Sequence, residues 1–154
     1  MDNEKIKNSL QDLIYRLQDA EKGYREIILA SSNETLNSWL DKYATERHHM
    51  HRKLESFVVE LGGKPEVDTT ILGELHRMFI DIKISNTSAH NEFDAIVNEI
   101  NRGATLLISD YEKVLTDVKL PANYVTTLNL QKVHIETELE ALLQLQEELT
   151  AETA

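Results

Sequence analysis

Apolar residues recur every three or four positions through long stretches of this chain, a spacing that places them on one face of an α-helix. The four long stretches cover about residues 3–31, 34–61, 89–116 and 121–149, and a shorter one covers about 70–84. Only five glycines and two prolines occur among the 154 residues. Because β-rich folds need many turn residues, the sequence predicts an all-α fold.

Short polar or glycine-containing segments separate the predicted helices. Ser31 and Glu34 have the spacing of a capping box that would begin the second helix. Gly62 and Pro65 would end it, because glycine supplies a left-handed C-cap and proline cannot continue a helix. Pro121 lies where a first-turn proline is tolerated.

The lengths of the connections predict how the helices are arranged. Two short connections make antiparallel hairpins of the first and second helices and of the third and fourth. The middle connection is about 27 residues long and carries the short predicted helix. Two hairpins joined by one long crossover form the ferritin-like version of the four-helix bundle. A length of 154 residues suits one such domain, covering 1–154.

The amino-acid composition limits which partners the protein can bind and in which compartment we expect it. The chain has 27 acidic and 16 basic residues, a formal charge of −11, which disfavours nucleic acid and anionic membranes. The absence of cysteine excludes disulfides and thiolate metal sites. No apolar run reaches the length of a membrane span, and the first residues lack signal-peptide features. We therefore expect a cytoplasmic protein.

Several blocks of sequence carry a family resemblance. They are LQDLI at 10–14, DAEKGYRE at 19–26, LGGKP at 61–65, LHR at 75–77, and the pairs at 102–103 and 120–121. With these blocks the chain resembles a family of small, largely uncharacterised bacterial four-helix proteins with a ferritin-like fold. The resemblance implies the fold and no established role. The wider relatives include di-iron oxidases, storage proteins and rubrerythrin-like proteins.

Acidic and histidine side chains near the inner faces of the helices suggest a metal site. A ferritin-like di-metal site needs one Glu from each of two helices and a Glu-x-x-His pair from each of the other two. Glu21 lies in the apolar stripe of the first helix, Glu46 and His49 form such a pair in the second, and Glu138 leans inward in the fourth. These four residues are the candidate ligands of a mononuclear site for a hard cation or zinc.

The remaining positions do not complete a di-metal site. Gln131 and His134 form a Gln-x-x-His pair beside the candidate ligands, where they would support rather than bind a metal. In the third helix, Gly103 and Ala104 occupy the inward positions that would need a carboxylate. Half of a di-metal constellation is therefore predicted.

Arg47 offers an alternative to metal in the same region. It also projects inward, and buried carboxylates need partners. An ion pair of Arg47 with Glu21 or Glu46 would satisfy the carboxylates without a metal. The sequence leaves both the metal site and the structural ion pair open.

Two further features have functional and structural interpretations. The histidines at positions 48, 49 and 51 lie among basic residues and form either a docking patch or a solvated face that could collect a metal. Gly23 and Gly103 lie within long helices, where they indicate either close packing or room for a ligand.

No nucleophile motif, phosphate-binding loop, EF-hand or zinc-finger spacing is present. The first hypothesis is a non-enzymatic association or stress-related protein without a cofactor, forming a homodimer. The alternative is a metal-binding ferritin-like protein with a degenerate mononuclear site for iron, manganese or zinc. The sequence does not decide between them.

Overall fold

The computed structural model describes residues 2–66 and 89–153, and these residues form four long helices. The helices are α1 (Asn3–Ala30), α2 (Glu34–Glu60), α3 (Ala89–Asp117) and α4 (Ala122–Thr153). The described part of the chain is thus all-α, as predicted. The last helix continues to Thr153, beyond the predicted end near residue 149. The short helix predicted at about 70–84 lies outside the described residues.

Contacts at the helix ends define a four-helix bundle. Each hairpin packs its two helices against each other, and further contacts join α1 to α3 and α2 to α4. The Lys5 ammonium donates to the Asp117 carbonyl at 3.3 Å, so α1 begins where α3 ends. The Tyr124 hydroxyl lies 2.9 Å from the Glu60 carboxylate, so α4 begins where α2 ends. Accordingly α1 and α4 lie diagonally opposite each other, as do α2 and α3.

The connection between the hairpins joins opposite ends of the bundle. Phe93, near the start of α3, lies beside Leu36 and the α1–α2 turn, at the end of the bundle away from Glu60. The end of α2 and the start of α3 therefore lie at opposite ends of the bundle, as the predicted connectivity requires. Ferritin-like bundles share this arrangement of one long crossover.

The cap of α2 differs from the predicted one. Asn33 is the N-cap, and its side chain accepts a hydrogen bond from the Leu36 amide at 2.9 Å. Ser31 instead ends α1, and its hydroxyl accepts from the Asn33 amide at 3.1 Å. The predicted capping box from Ser31 to Glu34 was wrong, because asparagine caps as well as serine and lies directly before the first helical residue.

The end of α2 is a glycine cap, as predicted. Gly62 has a φ of +81°, and its amide donates to the Val59 carbonyl at 2.9 Å. The Gly63 amide donates to the Val58 carbonyl at 2.9 Å, which completes a Schellman motif. A Cβ on Gly63 would lie only 2.8 Å from the Lys7 side chain. Gly62 is therefore required for its left-handed backbone conformation, and Gly63 because a side chain there would clash with Lys7.

After this cap the chain turns toward α1. The Gln11 side chain donates to the Glu66 carbonyl at 3.1 Å and accepts from the Glu66 amide at 3.0 Å. The Tyr15 hydroxyl also contacts the Glu66 carboxylate. These contacts fix the start of the connection on the α1 side of the bundle.

The core consists of two apolar clusters, one toward each end of the bundle. The first includes Ile6, Leu10, Leu54, Phe57, Tyr111, Tyr124 and Leu128. The second includes Tyr24, Leu36, Leu40, Phe93, Ile100 and Leu142. Between them lie three buried polar residues, Arg47, Gln131 and Glu138, which we call the central polar layer.

Candidate metal centre

The structure does not bring the four predicted metal ligands together. Glu138 is buried in the central polar layer, whereas Glu21 lies partly exposed between α1 and α2. Glu46 is partly exposed and His49 is fully on the surface. The reason is the rotation of α2, which points Arg47 rather than its neighbour Glu46 into the core.

Arg47 forms its ion pair with Glu138, not with Glu21 or Glu46, the partners expected from the sequence. Both side chains are almost fully buried, at 2% and 6% exposure. The guanidinium also lies 5.8 Å from the centre of the Tyr24 ring. Burial raises the pKa of Glu138, and Arg47 acts in the opposite direction by favouring the carboxylate. The pair therefore holds a charged group at the centre of the bundle.

The two residues predicted to support a metal are also separated. Gln131 is buried, accepts a hydrogen bond from the Tyr111 hydroxyl at 2.6 Å and donates to the Met50 carbonyl at 3.2 Å. His134 is exposed on α4. Both ends of the Gln131 amide are thus engaged within the protein.

The third helix supplies no carboxylate to the bundle centre. Ala104 is buried as expected, but Gly103 is exposed and has no atom within 4 Å of a Cβ placed on it. The occurrence of a glycine at position 103 is therefore explained neither by close helix packing nor by an enclosed pocket. Among residues 92–117 of α3, none of the buried side chains is acidic. With Glu138 paired to Arg47, the bundle centre does not fit a ferritin-like di-metal group.

A different Glu–His group lies on the seam between α1 and α2, and we call it the seam cluster: Glu21, His48 and His51. His51 Nε2 lies 2.7 Å from Glu21 Oε1, and His48 Nδ1 lies 3.1 Å from Glu21 Oε2. The histidines are three residues apart, so they project from the same side of α2. One potential ligand atom from each residue lies within 4.8 Å of the others.

The seam cluster combines a buried residue with two more open ones. The side-chain exposures are 7% for His51, 23% for Glu21 and 49% for His48. The two imidazole rings meet edge to face, with centroids 5.0 Å apart. A metal bound here would have protein on one side and solvent on the other.

A second carboxylate orients the buried histidine. Glu55 Oε2 lies 2.5 Å from His51 Nδ1, and Glu55 is itself only 6% exposed. Arg52 lies 3.3 Å from the other oxygen of Glu55. When Nδ1 donates its hydrogen to Glu55, a metal can bind Nε2 in place of the hydrogen that otherwise joins Nε2 to the Glu21 carboxylate. A carboxylate behind a metal-binding histidine commonly fixes the ring and its tautomer in this way.

A surface groove of about 510 Å³ opens over the seam cluster. All three cluster residues line it, together with Glu55 and basic side chains that include Arg52. Two imidazoles and one carboxylate are the donor set of several open zinc sites, in which a water or another ligand fills the fourth position. The groove provides space for that ligand.

His51 could have been found from the sequence. One series among the buried residues of α2 has a regular three-and-four spacing: Leu40, Ala44, Arg47, His51, Leu54 and Val58. His51 and Arg47 are in phase with this series, whereas Glu46 and His49 are each out of phase. The four-residue spacing of His51 and Glu55 was a further signal. The contact of His51 with Glu21 was harder to predict, because it depends on how α1 and α2 are rotated against each other.

The fold and the seam cluster define a class: an all-α four-helix bundle with a His–His–Glu group at one helix seam. The chain belongs to the family described as a domain of unknown function, DUF2383, which it matches over residues 5–117. That range contains the complete seam cluster and ends before α4 begins. No curated protein matches the chain. None of the described helices has the length and apolar character required to span a membrane.

Proposed function

We propose that this protein binds one divalent transition-metal ion through Glu21, His48 and His51. The observation that supports this function is the convergence of three potential ligand atoms within 4.8 Å. Imidazole ligands favour zinc, copper, iron and nickel, whereas magnesium and calcium prefer oxygen alone. Of the metals expected from the sequence, zinc and iron suit this donor set best.

Each of the two histidine nitrogens lies near a Glu21 oxygen, at a distance slightly shorter than the ligand spacing of a metal site. Bonds of about 2.0–2.2 Å in a tetrahedral site separate the ligand atoms by roughly 3.3–3.6 Å. The distance from His48 to Glu21 is 3.1 Å and that from His51 to Glu21 is 2.7 Å. Binding therefore requires the Glu21 carboxylate to move back by roughly half an ångström, and the two histidine nitrogens, which are bounded only by the 4.8 Å limit, to reach the same spacing through rotation of the exposed His48 side chain.

Metal titration of the full chain tests the proposal. We expect the metal-free protein to bind Zn²⁺ or Co²⁺ with a stoichiometry of one, and His51→Ala to weaken binding at least about tenfold. His49→Ala is the matched control, because His49 is exposed on the same helix and outside the cluster. Its affinity should equal that of the wild type. Equal losses in the two variants, or no stoichiometric binding by the wild type, would contradict the proposal.

A non-enzymatic association or stress-related role is the second candidate. The buried ion pair of Arg47 and Glu138 favours it over di-iron oxidase chemistry, because this pair occupies the bundle centre where such enzymes hold their metals. We expect the protein to show no oxygen consumption when Fe²⁺ is added beyond that of the free ion. Rapid protein-dependent oxygen uptake that persists in Glu21→Ala would overturn this view.

A further inference from the structure

The outward face of α4 carries a row of uncharged residues. The row consists of Ala122, Thr126, Leu130, Val133, Thr137 and Ala141, and all six are exposed. Leu130 is 57% exposed and Val133 is 51% exposed, although both are large and apolar. The spacings of three and four residues keep the row on one side of the helix along about 28 Å. We call it the α4 row.

The lack of charge is unusual for this protein. Charged residues make up 28% of the chain, and the exposed face of α1 includes Glu4, Lys5, Asp12 and Arg16. By contrast, the exposed residues between positions 122 and 134 of α4 include no aspartate, glutamate, lysine or arginine. An uncharged row on a charged surface indicates contact with another surface.

The α4 row is nearly palindromic, with identical outer pairs and a leucine and a valine at its centre. Its midpoint lies between residues 131 and 132, and reversal about that point pairs Ala122 with Ala141 and Thr126 with Thr137. The same reversal pairs Leu130 with Val133. In a two-fold symmetric contact residue i of one copy meets residue j of the other and the reverse, so this pattern would bring residues of the same kind together. The symmetry therefore suggests that the partner surface is the same row on a second copy.

The charges beside the row favour an antiparallel pairing. The acidic residues of α4 all lie from position 136 onward, and the exposed ones include Glu136, Glu140, Glu147 and Glu148. Parallel helices would place these acids against each other. The antiparallel arrangement about the same midpoint places Glu136 opposite Thr127 and Glu140 opposite Asn123, both of which are neutral.

The described start of the crossover lies away from this face. Glu66 is held against Gln11 and Tyr15 of α1, and α1 is diagonal to α4 in the bundle. The chain thus leaves α2 toward the side opposite the α4 row.

We propose that two copies of this chain associate through the α4 rows, antiparallel and related by a two-fold axis near residues 131 and 132. Alanine and threonine are small, so the two helices can approach to the short end of the usual 8–10 Å separation. A single helix pair covers less area than the standard protein interface. We therefore expect a dimer that dissociates in the micromolar range.

Sedimentation equilibrium of the full chain tests the association. We expect the wild type to pass from monomer to dimer between about 5 and 500 μM, and Val133→Glu to remain monomeric. Leu106→Glu is the matched control, since Leu106 is 47% exposed on α3 outside the row. It should dimerise as the wild type does. A wild type that is monomeric at about 500 μM overturns the proposal, and a lowered Tm of Val133→Glu would then assign the row to residues 67–88 of the same chain.

Disulfide cross-linking tests the orientation, and the chain has no cysteine of its own to interfere. In the proposed dimer Thr126 faces Thr137 of the second copy, whereas the two Thr126 residues are roughly 16 Å apart along the helices. Neither Thr126→Cys nor Thr137→Cys should cross-link alone, because a disulfide needs Cα atoms within about 7 Å. A mixture of the two should form the heterodimer. Cross-linking of Thr126→Cys with itself would overturn the antiparallel arrangement.

Discussion

Replacing Arg47 by methionine would leave the buried carboxylate of Glu138 without its counter-ion. The two side chains are 2% and 6% exposed, so water cannot take the place of the guanidinium without opening the core. Removal of one partner from a buried ion pair typically costs about 3–5 kcal/mol. For a domain of about 150 residues this corresponds to a loss of roughly 6–20 °C in Tm.

The double variant Arg47→Met with Glu138→Met separates the ion pair from simple packing. A buried pair replaced by apolar residues of similar volume is often neutral or stabilising, so the double variant should be more stable than Arg47→Met alone. Urea unfolding of both variants and the wild type measures the coupling. Arg25→Met is the control, because the pair of Arg25 and Asp41 is exposed and should contribute at most about 1 kcal/mol. A loss below about 1 kcal/mol in Arg47→Met, or no recovery in the double variant, would refute the reasoning.

Three further predictions concern pH and the helix backbone. Burial raises the pKa of Glu138 in the folded state, so the folded protein binds this proton more tightly than the unfolded chain does. The destabilisation caused by burying the Glu138 carboxylate is therefore complete above the folded-state pKa. It vanishes below about 4.3, the pKa of the unfolded chain. The stability difference between Arg47→Met and the wild type should therefore be smaller at pH 5 than at pH 8, and a difference that grows on acidification would contradict this. Gly103→Ala should raise the free energy of unfolding by about 0.5–1 kcal/mol, since a Cβ there contacts nothing. Gly62→Ala should lower it by about 1 kcal/mol because Gly62 has a positive φ. A change of the same sign in both variants would contradict these different roles of the two glycines. Asn33→Ala should cost about 1 kcal/mol in the same urea assay through loss of the N-cap of α2, and no measurable loss would mean that the cap is dispensable.

The helices and their order could be predicted because they depend on local patterns. Apolar spacing identified the four long helices, and Gly62 marked the end of α2 through a backbone requirement that few other residues meet. The capping residue of α2 was harder, since Ser31 and Asn33 both lie in the turn and either side chain can cap. Only the position at which the helix begins decides between them.

The candidate site depended on helix rotation, which local patterns define less well. One residue along a helix corresponds to about 100°, so an error of one position turns an inward side chain to the edge. Glu46 and His49 were selected in this way, although Arg47 and His51 follow the buried series of α2. The partner of Arg47 came from α4, 91 residues away in sequence, and no local spacing could identify it.

The division of the core into two apolar clusters affects how the molecule opens. Every helix contributes to both clusters, and the central polar layer interrupts the apolar packing between them. Proteins open locally in cooperative units, and an interruption of this kind is a natural boundary between two of them. Amide hydrogen exchange should accordingly show two levels of protection along a single helix, with a change near Arg47 in α2 and near Glu138 in α4. A long helix in this bundle is then continuous in its backbone but belongs to two separate units of stability.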